Sequence, residues 1–272
     1  MVSLGVSALA PFPQIARYNS PYAAHRGGRA IDLYPGTAIA PSPVAGTVIE
    51  TRTTTAPSRP YAAEHDHLLV IDTGSELARI LHVDPAVEPG DTVEIGDPLG
   101  ELVRSGYFAR WVDNHVHLGF REYGTDPVRA SGSLPVELDV PVAGASWDGT
   151  GTVRAAGQTY AILDAPAHPD PGSGFVGIAD DTGRYVLDGG VPHYETGGVH
   201  PVGEDATEAV ELLGTRLATA TGTVEWDAVS ARANGQPIVG LSLLLGRDGL
   251  GAKLICPDLD LSVGDRVSVE LR

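Results

Sequence analysis

The sequence is poor in lysine and cysteine: Lys253 and Cys256 are the single residues of their kinds among 272. One cysteine cannot form an internal disulfide, and it excludes a cysteine-based zinc site. With so little lysine, nearly all of the positive charge is arginine, and the formal net charge is −17 at pH 7. This acidic composition argues against nucleic acid or an anionic membrane as a partner. It also predicts a halophilic source, with an acidic mesophilic protein from a GC-rich genome as the alternative.

Long hydrophobic runs are absent as well. Nowhere do about eighteen apolar residues follow one another, which is the length that a transmembrane helix needs. The N-terminal stretch MVSLGVSALAPFPQIARY has no basic region before its apolar residues, and prolines interrupt it. A secretory signal would show both a basic region and an unbroken apolar one. We therefore predict no signal peptide and no membrane association, and we expect the chain in the cytoplasm.

The chain is instead rich in turn and strand residues, with 34 glycines, 21 prolines and a hydrophobic fraction of 42%. Short runs of Val, Ile, Leu and Thr between Gly, Pro and Asp are typical of β-strands joined by turns. We therefore predict an all-β, mainly antiparallel fold. The pattern changes near residue 135, so we expect two domains, 1–135 and 136–272, of which the second is β-rich and has no assigned role.

The segment DNHVHLGFRE places His115 and His117 one residue apart within a predicted strand. Side chains two residues apart share a face of a strand, and their Cβ atoms stand about 6 to 7 Å apart. Two such rings can bind one metal ion together, or one can bind it while the other faces its open position. A pair of partly exposed strand histidines is the alternative that this pattern leaves open.

Three further residues of the first half are suited to zinc chemistry: His25, Asp32 and His82. Catalytic zinc takes about three nitrogen or oxygen ligands from the protein and leaves one position to water. Cleavage of an amide also needs a base for that water and a donor for the developing oxyanion. Together with His115 and His117, these residues can supply three ligands and two helpers.

Four segments of the first half resemble, in the same order, the motifs of the lysostaphin-type (LytM-like) zinc metallopeptidases. They are HRGGRAIDLYPGTAIAPSPVAGTV, HLLVIDTGSELARILHVD, VEPGDTVEIGDPLGELVRSG and HVHLGFRE, which lie within residues 25–122. The resemblance implies a lysostaphin-type β-sheet domain with a groove. It does not extend to residues 136–272.

The resemblance also implies a role for each candidate residue. Carried over motif by motif, it makes His25, Asp32 and His117 the ligands of Zn²⁺ and makes His82 and His115 the catalytic pair. One departure is that six residues separate His25 from Asp32, whereas the family pattern has three. A three-residue insertion preserves both the His-x-Gly and the Ile-Asp parts of the motif, so we keep His25 as the first ligand.

The implied function is that of a zinc-dependent, endopeptidase-like hydrolase. It would cleave an amide bond in a small-residue peptide or cross-link with a zinc-activated water, and its substrate would be a peptide or a peptidoglycan-like molecule. The alternative is a non-catalytic scaffold of the same fold that binds a peptide, a glycan or a partner protein. We favour the enzyme, because a groove that only binds would not need Asp32, His82, His115 and His117 together.

The remaining histidines are interpreted as solvent-exposed or structural. The His-Asp-His stretch at 65–67 lies where a polar, proline-containing loop meets a strand, so we interpret it as a solvated turn. We expect His168, His193 and His200 to be exposed, because they lie in loops rich in proline and glycine.

Overall fold

The computed structural model describes residues 1–129, 132–203, 209–219 and 222–272. It forms two compact units, of which the first comprises Met1–Ile15 and Gly28–Val140, and the second Ala16–Gly27 and Pro141–Arg272. The regular elements of the described residues are almost all strands, and most of the pairings are antiparallel. The predicted all-β, mainly antiparallel fold class is confirmed. The sequence pattern changes at residue 135, whereas the first unit continues to Val140.

The strands of the first half are short, as the frequent glycine and proline residues indicate. In chain order the elements are β1 (Val2–Gly5), α1 (Val6–Leu9), β2 (Gln14–Ala16), β3 (Ala30–Tyr34), β4 (Ile39–Pro41), β5 (Gly46–Thr55), β6 (His65–Asp72), β7 (Leu77–Leu81), β8 (Val83–Pro85), β9 (Thr92–Val93), β10 (Pro98–Leu102), β11 (Val116–Arg121) and β12 (Val136–Asp139).

One sheet of the first unit positions the candidate residues. Six of its strands are hydrogen-bonded in the order β3-β11-β7-β6-β5-β9, and all of the pairings within this run are antiparallel. Side chains alternate between the two faces of such strands. One face is apolar and fully buried, with Ile31, Leu118, Ile80 and Leu69 in neighbouring strands. The opposite face carries Asp32 and His117, which are cross-strand partners.

Two smaller sheets complete the first unit. Strands β4, β10 and β8 form an antiparallel sheet, and β1 pairs with β12 in parallel. Pairing of β10 with β8 fixes the chain that leads from β7 through His82 into β8. His82, the residue before β8, is therefore held by paired strands on both sides along the chain.

The second half of the chain continues in strands. They are β13 (Val142–Ala145), β14 (Thr150–Ala156), β15 (Tyr160–Leu163), β16 (Phe175–Ile178), β17 (Tyr185–Val191), β18 (Thr196–Pro201), β19 (Ala209–Leu212), β20 (Thr215–Thr219), β21 (Gly222–Glu225), β22 (Ala231–Ala233), β23 (Gln236–Ile238), β24 (Gly240–Leu243), β25 (Leu245–Gly246), β26 (Lys253–Ile255) and β27 (Arg266–Leu271).

A ten-stranded sheet dominates the second unit, in the order β21-β18-β17-β24-β26-β15-β14-β27-β22-β23. Its buried side chains form one apolar cluster that includes Tyr185, Leu187, Leu241 and Leu254. Cys256 is buried in the same cluster, which accounts for it as a packing residue.

Hydrogen bonds attach the segment 16–27 to the rest of the second unit. The buried carboxylate of Asp188 accepts from the backbone N–H groups of Arg17 (2.7 Å) and Tyr18 (3.3 Å). The side-chain amide of Asn19 donates to the Ser242 hydroxyl at 2.9 Å. Because these partners lie more than 160 residues away along the chain, the second unit is built from two separate parts of the sequence. None of the helices in the described part of the chain has the length and hydrophobicity of a membrane-spanning helix.

Candidate metal centre

Asp32 and His117 lie side by side on the polar face of the first sheet. The antiparallel register of β3 and β11 places the two residues directly opposite each other. Asp32 is buried, and its Oδ1 lies 2.9 Å from Nδ1 of His117. A buried carboxylate is costly unless it is paired or coordinates a metal. The close histidine therefore accounts for Asp32 in an otherwise apolar strand.

His115 joins this pair from the residue immediately before β11. Its Nε2 lies 3.4 Å from Oδ1 of Asp32, and its Nδ1 lies 2.9 Å from the backbone carbonyl oxygen of Asp113. A carbonyl oxygen only accepts hydrogen bonds, so Nδ1 of His115 carries a proton. The other ring nitrogen of His115, Nε2, faces the carboxylate of Asp32.

His25, the remaining predicted ligand, lies in the segment 16–27 of the second unit. It is buried, and its Nδ1 donates to the carbonyl oxygen of Arg17 at 2.9 Å. This bond fixes the orientation of the His25 ring within its own unit. Its role as a metal ligand stays a prediction.

His82 lies between β7 and β8 in an unusual backbone conformation. Its φ is 71°, in the left-handed region that residues other than glycine rarely adopt. Its N–H donates to the carbonyl of His67 at 3.3 Å, and its own carbonyl accepts from Val103 N–H at 2.8 Å. Strained backbone of this kind costs about 1 to 3 kcal/mol and is concentrated at functional sites. The His82 ring lies beside the rings of His115 and His117.

The rings of His82 and His115 share an aromatic neighbour. Their centroids are 5.5 Å apart, and the His82 and His117 centroids are 5.8 Å apart. Phe108 stacks on His115 at 4.3 Å and meets His82 edge-on at 4.6 Å. The two histidines predicted to be catalytic are therefore packed together beside His117. Sequence patterns did not predict Phe108, because it lies in the irregular loop before β11.

A buried carboxylate that sequence reasoning missed, Asp66, holds His82. Its Oδ2 lies 2.7 Å from Nδ1 of His82 and accepts from the hydroxyl of Ser105 at 2.6 Å. Its Oδ1 accepts from the backbone N–H of His67 at 2.7 Å. The interpretation of 65–67 as a solvated turn is wrong for Asp66, which is fully buried at the start of β6, whereas His65 is exposed.

The environment shifts the pKa values of this pair in directions that suit an ionised carboxylate and a neutral ring. Burial alone would raise the pKa of Asp66, but the hydrogen bond from His82 and those from Ser105 and His67 outweigh it and lower the pKa. Burial lowers the pKa of His82, although the bond to Asp66 opposes that shift. At neutral pH the pair is therefore a carboxylate hydrogen-bonded to an uncharged imidazole.

The expectation that His168 and His200 are exposed is wrong, because both are buried. His168 is buried, and its ring bonds to the carbonyl of Gly174 and the N–H of Asp170. His200 is buried in β18, with Nε2 3.1 Å from Oδ2 of Asp188. His193 is partly exposed as a residue, but its ring nitrogens are buried. Long-range contacts bury these side chains, and a local loop pattern does not reveal such contacts.

Comparisons with solved structures find distant similarities. A structure of the SpoIIQ–SpoIIIAH pore-forming complex matches with 18% identity and a TM-score of 0.25, over 42% of this chain and 66% of that chain. A solution structure of lysostaphin matches with 14% identity and a TM-score of 0.25, over 63% of this chain and 87% of the other. No curated protein matches the sequence.

Two family models cover nearly all of the chain. The model described as the N-terminal domain of DUF8155, a domain of unknown function, matches residues 3–138. The model described as the C-terminal domain of DUF8155 matches residues 143–272. With both models matched in order, the chain belongs to the DUF8155 family.

Proposed function

We propose that the chain is a zinc-dependent hydrolase that cleaves an amide bond in a small-residue peptide or cross-link. The observation that carries the proposal is the cluster of Asp32, His117, His115 and His82 in the first unit, where Oδ1 of Asp32 lies 2.9 Å from Nδ1 of His117 and 3.4 Å from Nε2 of His115. We take Asp32 and His117 as ligands and, from the motif order, His25 as the third ligand. His82 and His115 lie beside His117 or Asp32 and are not needed as ligands. The order of lysostaphin-type motifs across residues 25–122 supports the same function from the sequence.

The donor set fits zinc. Two imidazole nitrogens and one carboxylate oxygen form a ligand set that catalytic zinc uses, with a fourth position left open. The hydrogen bond from Nδ1 of His25 to the Arg17 carbonyl is the kind of outer contact that orients a ligating histidine. When bound, zinc would act as a Lewis acid and lower the pKa of a coordinated water to about 7.

We assign proton transfer to His82 and His115. Each ring donates from Nδ1 to an oxygen acceptor, Asp66 or the Asp113 carbonyl, and so presents Nε2. In amide hydrolysis, one Nε2 accepts the proton of the attacking water and passes it to the leaving nitrogen as the C–N bond breaks. The other ring, when it carries a proton taken up from solvent, stabilises the oxyanion. The lowered pKa of His82 keeps that ring neutral at pH 7, which a proton acceptor requires.

The test measures hydrolysis and metal content together. Zinc-loaded protein would be incubated with glycine-rich peptides and peptidoglycan fragments, and the products identified by mass spectrometry. His115→Ala should keep its zinc and lose turnover by roughly 10²- to 10⁴-fold, the effect typical of a positioned acid–base group. His65→Ala is the matched control, because it removes an exposed histidine of the same unit and should leave turnover unchanged.

One outcome would contradict the proposed roles of the two rings, and another would contradict the enzyme. Hydrolysis that survives in both His82→Ala and His115→Ala would show that these rings have no part in the reaction. Tight binding of a peptide or glycan by the zinc-loaded protein, with no cleavage across the panel, would favour the non-catalytic scaffold instead.

A further inference from the structure

The carboxylate of Asp66 is fully buried and accepts three hydrogen bonds. The donors are the backbone N–H of His67 on Oδ1, and the Ser105 hydroxyl and the His82 ring on Oδ2. All three distances lie between 2.6 and 2.7 Å. Groups this deeply buried need their polar atoms satisfied, and here both oxygens are. Asp66 is also outside the group of three possible metal ligands.

The chemistry of these contacts assigns the proton of the His82 ring. An ionised carboxylate has no hydrogen to donate, so the nitrogen that faces it must carry the proton. Nδ1 of His82 is that nitrogen, at 2.7 Å. The neutral ring therefore holds its proton on Nδ1 and presents the lone pair of Nε2. Without a partner on Nδ1, a neutral imidazole would exchange between its two tautomers.

The rest of the surroundings fix the orientation of the same ring. The left-handed backbone of His82 is held by bonds on both its N–H and its carbonyl, and Phe108 packs against the ring edge-on. Only 8% of the His82 side chain is exposed. Backbone, aromatic neighbour and carboxylate thus all hold the ring in its observed orientation.

We propose that Asp66 is the positioning residue of this site, which keeps the proton of His82 on Nδ1 and so presents Nε2 as the proton acceptor. The consequence for turnover rests on the proposed function, whereas the assignment of the tautomer does not. A carboxylate that holds a histidine in this way fixes its tautomer and stabilises the charge that the ring gains when it accepts a proton.

The substitution Asp66→Asn tests this proposal with little change of shape. The N–H of His67 can only donate, so the amide oxygen of the new side chain must take the place of Oδ1. Its NH₂ group then takes the place of Oδ2 and faces Nδ1 of His82. Because an NH₂ group only donates, Nδ1 must become an acceptor and the ring proton must move to Nε2.

The measurement is the long-range ¹H–¹⁵N NMR spectrum of the histidine rings, recorded on full-length protein with and without zinc. The wild-type His82 ring should show the Nδ1–H pattern, and Asp66→Asn should show the Nε2–H pattern. Asp84→Asn is the matched control, because Asp84 is an exposed carboxylate 3.6 Å from the His67 ring. It should leave the His82 pattern unchanged.

An Nε2–H pattern for His82 in the wild type would overturn the proposal, and this holds even if Asp66→Asn does not fold. An unchanged pattern in a folded Asp66→Asn protein would overturn it as well. Where a cleaved substrate is available, Asp66→Asn should lower kcat by roughly 10²- to 10⁴-fold, with zinc content and KM unchanged. A failure to find any substrate would count against the enzyme but would leave the tautomer result standing.

Discussion

At the scale of single residues, the site is organised by which nitrogen of each imidazole is already engaged. Nδ1 donates in His25, His82 and His115, to the Arg17 carbonyl, the Asp66 carboxylate and the Asp113 carbonyl. These three rings therefore present Nε2. His117 differs, because its Nδ1 faces Asp32. The hydrogen bonds of Nδ1 thus distinguish His117, whose Nδ1 faces the predicted ligand Asp32, from the other three histidines.

His193 of the second unit provides a pH-dependent prediction. Burial lowers its pKa to about 4, although a backbone hydrogen bond to Val191 opposes the shift. In the unfolded chain its pKa is about 6.5, so the unfolded state binds a proton first as the pH falls. The contribution of His193 to stability is therefore complete above about pH 6.5 and is lost between pH 6.5 and 4.

The comparison with His193→Gln isolates this effect, because glutamine does not titrate. The free energy of unfolding of the wild type should fall relative to the variant by on the order of 1 kcal/mol per pH unit in that window. Urea unfolding at several pH values between 4 and 8 measures the difference. The prediction would be contradicted if the free energy of unfolding changed with pH equally in the wild type and in His193→Gln.

At the scale of elements, the register of β3 and β11 places Asp32 and His117 on the same face of the sheet. His117 is opposite Asp32 on one side and opposite Leu81, the last residue of β7, on the other. A slip of one residue would turn His117 to the apolar face, because side chains alternate. The buried apolar face, with Leu118 and its neighbours, therefore fixes the register that assembles the site.

Two glycines in these strands should respond differently to alanine. A Cβ at Gly100 in β10, where φ is +150°, would lie 2.0 Å from the carbonyl oxygen of Asp84. A Cβ at Gly119 in β11 would meet its nearest atom at 3.6 Å, an ordinary contact. Gly100→Ala should lower the free energy of unfolding by at least about 2 kcal/mol, and Gly119→Ala should change it by less than about 1 kcal/mol. Chemical denaturation measures both, and equal effects would contradict the account.

The sequence predicted the fold class, because strand alternation and turn residues are local features. The ligand set of His25, Asp32 and His117 came only from the resemblance to lysostaphin-type motifs and stays a prediction. Sequence reasoning missed Asp66, although a signal was present. Asp66, Leu68 and Val70 are alternate residues of one strand, so they share a face, and all three are buried. The polar neighbours of Asp66 on both sides obscured this alternation. The attachment of segment 16–27 to Asp188 was not predictable, because it depends on contacts between parts of the chain that are far apart in sequence.

At the scale of the whole molecule, the net charge of −17 should make stability depend on salt. Like charges repel in the compact state, and salt shortens the screening length from about 10 Å at 0.1 M to about 3 Å at 1 M. The Tm should therefore rise when KCl is increased from 0.1 M to 2 M. A Tm that is unchanged or falls would contradict this and the expectation of a halophilic source.

A control variant separates charge repulsion from general effects of salt. Glu101→Gln, Glu122→Gln, Asp258→Asn and Asp260→Asn together change the net charge from −17 to −13, at positions that are all exposed. The variant should show a smaller rise in Tm over the same range of KCl. An equal rise in both proteins would show that the acidic surface is not the cause.

The central proposal, that His25, Asp32 and His117 are zinc ligands, is tested most directly by metal content. Protein purified without chelator, equilibrated with zinc and desalted would be analysed by inductively coupled plasma mass spectrometry. The wild type and His115→Ala should each hold about one zinc per chain, whereas His117→Ala should hold far less, because two protein ligands rarely retain zinc. Absence of zinc from the wild type, or full retention by His117→Ala, would contradict the assignment.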